Sequence, residues 1–596
     1  MFKQHPRGLI VAFFTNMGER FGFYTMMAIL VLFLQAKYGL SADKAGSIYS
    51  WFYFAIYAMA LAGGMLADAT KKYKTVILVG QIVMFAGYAM LALPGLPLSL
   101  TIAGLFIIAL GNGLFKGNLQ AVVGQLYDDP KYSKFRDSAF MVFYMGINVG
   151  AFFAPFAAKG VRDWWLKANG YLHDGSLPSL CHQQVNGTLK DTSELQILAD
   201  KVSLSGPVTD LSAFAQNYID VFARGYNYAF GIAAIALVIS LIVYLFFNKM
   251  LPNKEKEAKD AKDAAVNTGG SMKAAIAVGI AVAVGAIIYF LANSIDLAFA
   301  FGLFIGFVSW IVQISTKEER PRITALLLVF LVVIFFWMSF HQNGLTLTLY
   351  ARDYTFKVVD PFTNLFFGLY SILSVIGAIA GVVLLVGKKN SVNLKIAGAI
   401  LTIAGGALSY YFYSTGNAEN AISPEVFQSF NPLFIVALTF PVMGFFNWLN
   451  EKDMEPSTPR KIGYGMIIAA IGFTLVLISA LNLVSPIDLG GQPVADASRV
   501  SPYWLVSTYL ILTVAELCLS PMGLSFVSKV APVRFQGLMQ GGWLLATAVG
   551  YKLLFVGTWA WDRLQLWQLW SIFIVCCILS AIFIFSIMKR LENATK

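Results

Sequence analysis

Charge is what this chain is short of. Asp, Glu, Lys and Arg make up 13% of its 596 residues, about half the share a soluble domain carries. With 58% hydrophobic residues and a mean hydropathy of +0.68, that scarcity excludes a soluble globular protein. Cysteine is scarce too. Of Cys181, Cys518, Cys576 and Cys577, Cys181 alone falls in a polar stretch, and the adjoining Cys576-Cys577 sit inside an apolar run. No disulfide framework is encoded. Cys181-His182 lacks metal-ligand spacing, so no metal is expected. His341 is the one histidine expected in a core helix, too little for a membrane-embedded hydrolytic enzyme. No cleavable signal peptide is expected, because the first apolar run is too long and carries internal charges.

What is there is a long series of apolar runs. About sixteen recur, each near the roughly 20 residues that cross a bilayer. The first six lie at about 8–36, 45–67, 73–95, 98–127, 138–160 and 224–248, and two follow at 273–293 and 296–314. Eight more lie at 323–349, 363–387, 393–413, 431–449, 460–482, 503–530, 537–557 and 566–588. An all-α polytopic membrane protein follows. Residues 161–223 read as a long loop with a polar middle. Residues 249–272 interleave Lys254, Lys256, Lys259 and Lys262 with Glu255, Glu257, Asp260 and Asp263, a solvated linker.

Orientation follows from Lys and Arg in short loops. With the N-terminus inside, Lys71, Lys72 and Lys74, then Lys131, Lys134 and Arg136, then Lys317, Arg320 and Arg322 all fall on the inner side, and both termini end there. The net charge of +11 is therefore a topology signal and an attraction to anionic lipid, not a nucleic-acid footprint. The expected division is a six-helix bundle over 1–248, a linker with an extra helix pair over 249–322, and a second six-helix bundle over 323–596 with a pair inserted at about 363–413. Two six-helix halves are the plan of transporters built from repeats. The extra pairs carry no midspan Lys, Arg or Glu and read as peripheral supports, with Asp296 at a water-accessible turn.

The few charges that do lie within apolar runs are the informative ones. Glu19 and Arg20 fall near the middle of the first run, Lys116 in the fourth and Glu516 in 505–530. Each costs about 2.5–3.5 kcal/mol at mid-bilayer. Glu19 and Arg20 could merely neutralise each other. Otherwise the four charges converge on a polar cavity between helices.

Several motifs then occur in one order: Glu19-Arg20-Phe21 with Tyr24; Gly63-Gly64 with Asp68; Gly113-Leu-Phe-Lys116-Gly-Asn118; Phe143-Tyr144-Met-Gly-Ile-Asn148; Phe336-Trp337 with Gln342; Asn431-Pro432; and Glu516 with Ser520-Pro521-Met-Gly523. In these the chain resembles the proton-dependent oligopeptide transporters of the major facilitator superfamily. The resemblance implies two six-helix bundles with two extra pairs, alternating access, and proton-coupled import of di- and tripeptides across a plasma membrane, most simply a bacterial inner membrane. It implies no bound cofactor and a monomer. It implies substrate contacts at Tyr24, Tyr57, Lys116, Asn148, Asn431, Glu516, Ser520 and Trp543, with Glu516 on the peptide's amino terminus. Proton coupling falls to Glu19, Arg20 and Lys116, and a gate-steadying loop to Gly63, Gly64 and Asp68.

The chain departs from that pattern at Asn16 (a glutamate in the family), Phe23 (a tyrosine), Met27 (an arginine) and His341 (a glutamate). Met27 cannot hold a carboxylate, so Lys116 and Arg20 must do so, or the substrate differs. His341 is either a packing residue or a proton site. Same-fold carriage of another anionic or zwitterionic solute, such as nitrate or a modified peptide, and a non-transporting receptor remain the alternatives.

Overall fold

The computed structural model describes residues 5–70, 72–133, 135–252, 270–388, 390–532 and 535–595. The charged linker at Lys254–Asp263 lies outside the described residues, as do the side chains of Asp68 and Ser520.

In a bilayer every backbone polar group must be satisfied within the protein, and long helices do this. Accordingly α1 spans Gly8–Tyr38, α2 Ala42–Thr70, α3 Tyr73–Ala92, α4 Leu98–Gln125 and α5 Arg136–Ala168. After two short helices, α6 (Leu177–Val185) and α7 (Ser193–Val202), α8 runs over Leu211–Phe247. The first extra pair is α9 (Gly270–Ala292) and α10 (Ile295–Ile314). Then come α11 (Arg320–Phe340), α12 (Thr346–Tyr354), the second extra pair α13 (Leu369–Val386) and α14 (Val392–Ser414), α15 (Phe430–Asn450), α16 (Thr458–Ala480) and α17 (Tyr503–Val530). The set closes with α18 (Gln536–Lys552), α19 (Phe555–Trp561) and α20 (Leu566–Ser586). Among the described residues, fifteen spans are long and apolar enough to cross a membrane, and α17 adds a shorter apolar one.

The loop expected at 161–223 is a correction. Helix α5 continues to Ala168, α8 starts at Leu211, and α6 and α7 fill the space between. Leu177, Leu180 and Cys181 of α6 and Leu195, Leu198 and Ala199 of α7 are buried, so a spaced apolar face docks each short helix. The Asp210 carboxylate caps α8 by accepting from the amides of Ser212 and Ala213. His182 bonds the Ala36 carbonyl at 2.8 Å, which gives the Cys181-His182 pair a packing role.

Two spans break mid-course. Between α11 and α12 lies a 3-10 turn, His341–Gly344, and α18 and α19 are separated at Leu553-Leu554. Gln342 serves both breaks. Its amide donates to the carbonyls of Met338 and Leu554, each at 3.0 Å, while its oxygen accepts from Thr346 Oγ1 at 2.5 Å. Gly557 lies so close that any Cβ there would overlap Thr346 and Gln342.

Bonds between residues 8–247 and 320–586 gather at the end that carries the α1–α2 connection. Arg162 and Glu425, both fully buried, form an ion pair there. Lys357 pairs with Asp174 at 2.7 Å and donates to Ser176. Arg352 donates to Gln35 at 2.7 Å, and Arg563 pairs with Asp43 at 2.9 Å. At Asp174, burial raises the carboxyl pKa, but the Lys357 ammonium, its hydrogen bonds and the Ser176 amide outweigh that and hold it below the usual range.

Two predictions follow from these contacts. Gly557→Ala forces a methyl into the paired breaks and lowers the detergent melting temperature, with a stability loss of about 1–3 kcal/mol; an unchanged melting temperature refutes the close approach. Because the folded Asp174 pKa lies below the unfolded one, its contribution is full above about pH 4 and fades as pH falls further. The melting difference between wild type and Asp174→Asn therefore narrows below pH 4; a difference that widens there contradicts the pairing.

Candidate functional site

A cavity of about 90 Å³ lies at mid-depth between the two sets of helices. From the first set it is lined by Tyr24 and Met27 on α1, Tyr49 and Tyr53 on α2, and Tyr144 and Asn148 on α5. From the second come His341 and Asn343 at the α11 break, Gln428, Asn431 on α15 and Glu516 on α17. Such a wall arises where long apolar helices present one polar stripe inward. Asn431 orients Glu516, donating to its Oε2 at 3.1 Å and to Thr513 Oγ1 at 3.0 Å. Asn148, on the cavity wall, donates to the Tyr144 carbonyl one turn back at 3.1 Å.

The structure gathers some of the expected residues and separates others. Tyr24, Asn148, His341, Asn431 and Glu516 share this cavity. Glu19 and Arg20 do not line it. They pair with each other, Arg20 Nε to Glu19 Oε2 at 2.5 Å and Nη2 to Oε1 at 2.8 Å, both almost fully buried. Asn112 donates to the same carboxylate at 2.7 Å, and the guanidinium lies 4.7 Å from the centre of the Phe23 ring. The expected convergence of four charges is thus corrected to one self-neutralised pair and two separate ions.

Lys116 stands just behind the cavity wall. Its ammonium donates to Tyr57 Oη at 3.1 Å and lies 4.4 Å from the centre of that ring. Tyr551 Oη is 3.4 Å from Tyr57 Oη and 2.9 Å from His341 Nε2. A hydrogen-bonded row, Lys116–Tyr57–Tyr551–His341, therefore runs from α4 through α2 and α18 to the broken span. Its last member touches the cavity. Having left the helix, His341 is the first residue of the 3-10 turn and stacks on Trp337 at 5.2 Å.

Trp543 is 5% exposed and packs on Phe330 and Gly523 instead of facing the cavity. Gly63 is where α2 meets α4: a Cβ there would overlap Gly113, and Asn118 donates to the Gly63 carbonyl at 3.1 Å. Gly64 has open space where a side chain would go. Tyr49, Tyr53, Asn343, Gln428 and Tyr551 were missed from the sequence. Among tyrosines spread through apolar runs nothing singles them out, although Asn343 inside the expected 323–349 span and Gln428 beside the 431–449 span offered a polar signal.

The sequence profile of the POT family matches residues 74–363 and 414–557, well over half the chain. The chain belongs to the POT family. An uncharacterised transporter, YclF, of Bacillus subtilis is 28% identical, the alignment covering 93% of this chain and 87% of that one. The peptide transporter YePEPT of Yersinia enterocolitica is 26% identical over 100% of this chain and 97% of its own. Dipeptide and tripeptide permease A of Erwinia pyrifoliae is 26% identical, covering 92% and 84%. Among solved structures, a mutant POT peptide transporter in complex with alafosfalin superposes with a TM-score of 0.63 at 23% identity, covering 100% of this chain and 97% of that one. A POT transporter in complex with 5-aminolevulinic acid gives 0.63 at 22%, covering 100% and 98%. This POT member has the family's polytopic all-α fold, that of the major facilitators, and is a membrane transporter and not an enzyme.

The pairing of Glu19 with Arg20 makes a direct prediction. Arg20→Met leaves a buried carboxylate without its cation and lowers the detergent melting temperature, with a loss on the order of 3–5 kcal/mol. Adding Glu19→Gln recovers part of that loss. A double variant melting below the single one contradicts the local pairing.

Proposed function

We propose that this POT member is a proton-coupled symporter that imports di- and tripeptides by alternating access, its two six-helix sets (1–248 and 323–596) rocking about the cavity. The observation that carries this reading is a buried carboxylate, Glu516, facing hydrogen-bonding groups from both sets across one polar cavity. The peptide transporters among its relatives support it. Di- and tripeptides share a backbone, an ammonium and a carboxylate whatever their side chains. Glu516 holds the ammonium. Tyr24, Asn148 and Asn431 bond the backbone amides. Trp543, packed behind α17, stiffens that wall.

The opposite charge needs a different answer than in a member with arginine at the Met27 position. No Lys or Arg is among the described lining residues. His341 carries a positive charge once protonated, and Lys116 stands three hydrogen bonds behind it. Facing the imidazole are Tyr551, Tyr53 and Trp337, with Lys116 beyond Tyr57 and Glu516 on the same cavity. A proton on His341 completes the match to a zwitterion, so proton and peptide enter together. A bare anion such as nitrate meets Glu516 and is repelled, which sets that alternative below the peptide. A cavity of about 90 Å³ is smaller than the roughly 300–1,000 Å³ of sites for drug-sized ligands. Admitting a peptide therefore requires the two sets to part. The setting is a plasma membrane with both termini inside, and one chain suffices.

The test is uptake of labelled dialanine into liposomes under an imposed pH gradient, with tripeptides, single amino acids and nitrate as competitors. Gradient-dependent uptake is expected, competed by di- and tripeptides. Glu516→Gln weakens peptide affinity about tenfold or more. His341→Ala abolishes the gradient dependence and, by removing the positive partner of the peptide carboxylate, weakens peptide counterflow. Uptake indifferent to peptides, or full gradient dependence in His341→Ala, contradicts the respective part of the reading.

A further inference from the structure

The α9–α10 pair was expected at the periphery, with Asp296 reaching water. It sits elsewhere. Asp296, in the first turn of α10, is 19% exposed and forms an ion pair with Lys552 at 2.5 Å. Lys552, the last residue of α18, is fully buried and also donates to Ser50 Oγ of α2 at 2.9 Å. Ser47 of α2 donates to both Asp296 oxygens at 3.3 and 3.4 Å. The Lys552 ammonium lies 4.4 Å from the centre of the Trp51 ring. Phe299, one turn further along α10, packs on Trp51 at 4.8 Å and on Phe54 at 5.1 Å. On the other flank, a Cβ at Gly542 of α18 would meet the Phe307 ring at 2.8 Å. One inserted hairpin thus touches both moving sets across their seam. It does so at the end where Gly46 of α2 and Thr558 of α19 are too close to admit even a Cβ.

A fully buried ammonium needs a counter-ion, since Ser50 alone offers only a neutral acceptor. Asp296 supplies it, and Asp296 belongs to neither set. Parting α2 from α18 at this end must separate Lys552 from Ser50, and with it either Asp296 from Lys552 or Asp296 from Ser47 together with Phe299 from Trp51. We propose that the inserted pair is a working part of the gate at this end. Asp296 is a positioning residue that holds Lys552 against α2 and favours the closed state. This rests on the alternating-access reading above, and it gives the insertion a role in the transport cycle.

The test uses the full chain in lipid nanodiscs, with spin labels on cysteines placed at Lys44 and Trp567, both exposed, and the partly exposed Cys576 replaced by serine. Inter-label distances report the two sets without any substrate. Asp296→Asn should raise the long-distance population about tenfold, with Lys552→Met alike and the double variant no further than either single one. The charge-swapped Asp296→Lys with Lys552→Asp should restore the short distance, and it carries the test if a single variant does not fold. An unchanged distribution in a folded Asp296→Asn chain, or effects of the two single variants that simply add, overturns the proposal. Absence of dialanine uptake by the wild type would defeat the peptide reading alone, since the distances are read without transport.

Discussion

An ionised side chain away from water has to find an opposite charge, and the buried charges of this chain are sorted by whether they do. Glu19 with Arg20, Arg162 with Glu425 and Lys552 with Asp296 are neutralised within hydrogen-bond distance. These pairs act as fasteners, because removing one partner strands the other. Lys116 and Glu516 have neutral partners only, Tyr57 and Asn431, among the described residues. They lie on opposite sets, in or just behind one cavity. A transporter needs that asymmetry: charges satisfied for good hold the scaffold, and charges satisfied only by hydrogen bonds stay available to a ligand.

The fasteners joining the two sets also have a direction. Arg162–Glu425, Lys357–Asp174, Arg563–Asp43 and Lys552–Ser50 all lie toward the end with the α1–α2 connection, so the bonds that join the sets are concentrated at the mouth the two sets would open. The broken spans reach the same region. Gln342 ties the α11 break to the α18 break, and His341, one residue earlier, is at once a cavity residue and the first residue of the 3-10 turn at that break. The cavity wall and the paired breaks are thus adjacent in the chain, His341 belonging to the one and Gln342 to the other.

Much of this was legible in the sequence. Apolar runs near 20 residues set the spans, since bilayer thickness leaves little choice. Glu516, Asn431, Asn148 and Tyr24 were named from their motifs and His341 as a departure from one, and all five line the cavity. What was not legible has physical causes. Adjacent residues of a helix point in different directions, so a closed Glu19–Arg20 pair could only be raised as one possibility. The 161–223 segment has a polar middle, and the short apolar faces of α6 and α7 show themselves only when docked. The role of Asp296 depends on where a hairpin lands in three dimensions. Lys552 was the available clue, a lysine inside the apolar 537–557 run that asked for a partner.

Peptide transport by this chain requires a wet cavity between the two sets that a peptide can enter. The most direct measurement is the rate at which a polar methanethiosulfonate reagent modifies a cysteine placed at Ile147, on the cavity wall, with and without dialanine, against the wild-type background. Modification slowed in proportion to dialanine occupancy is the predicted result. A cysteine that never reacts, or reacts at a rate indifferent to peptide, would contradict the central claim.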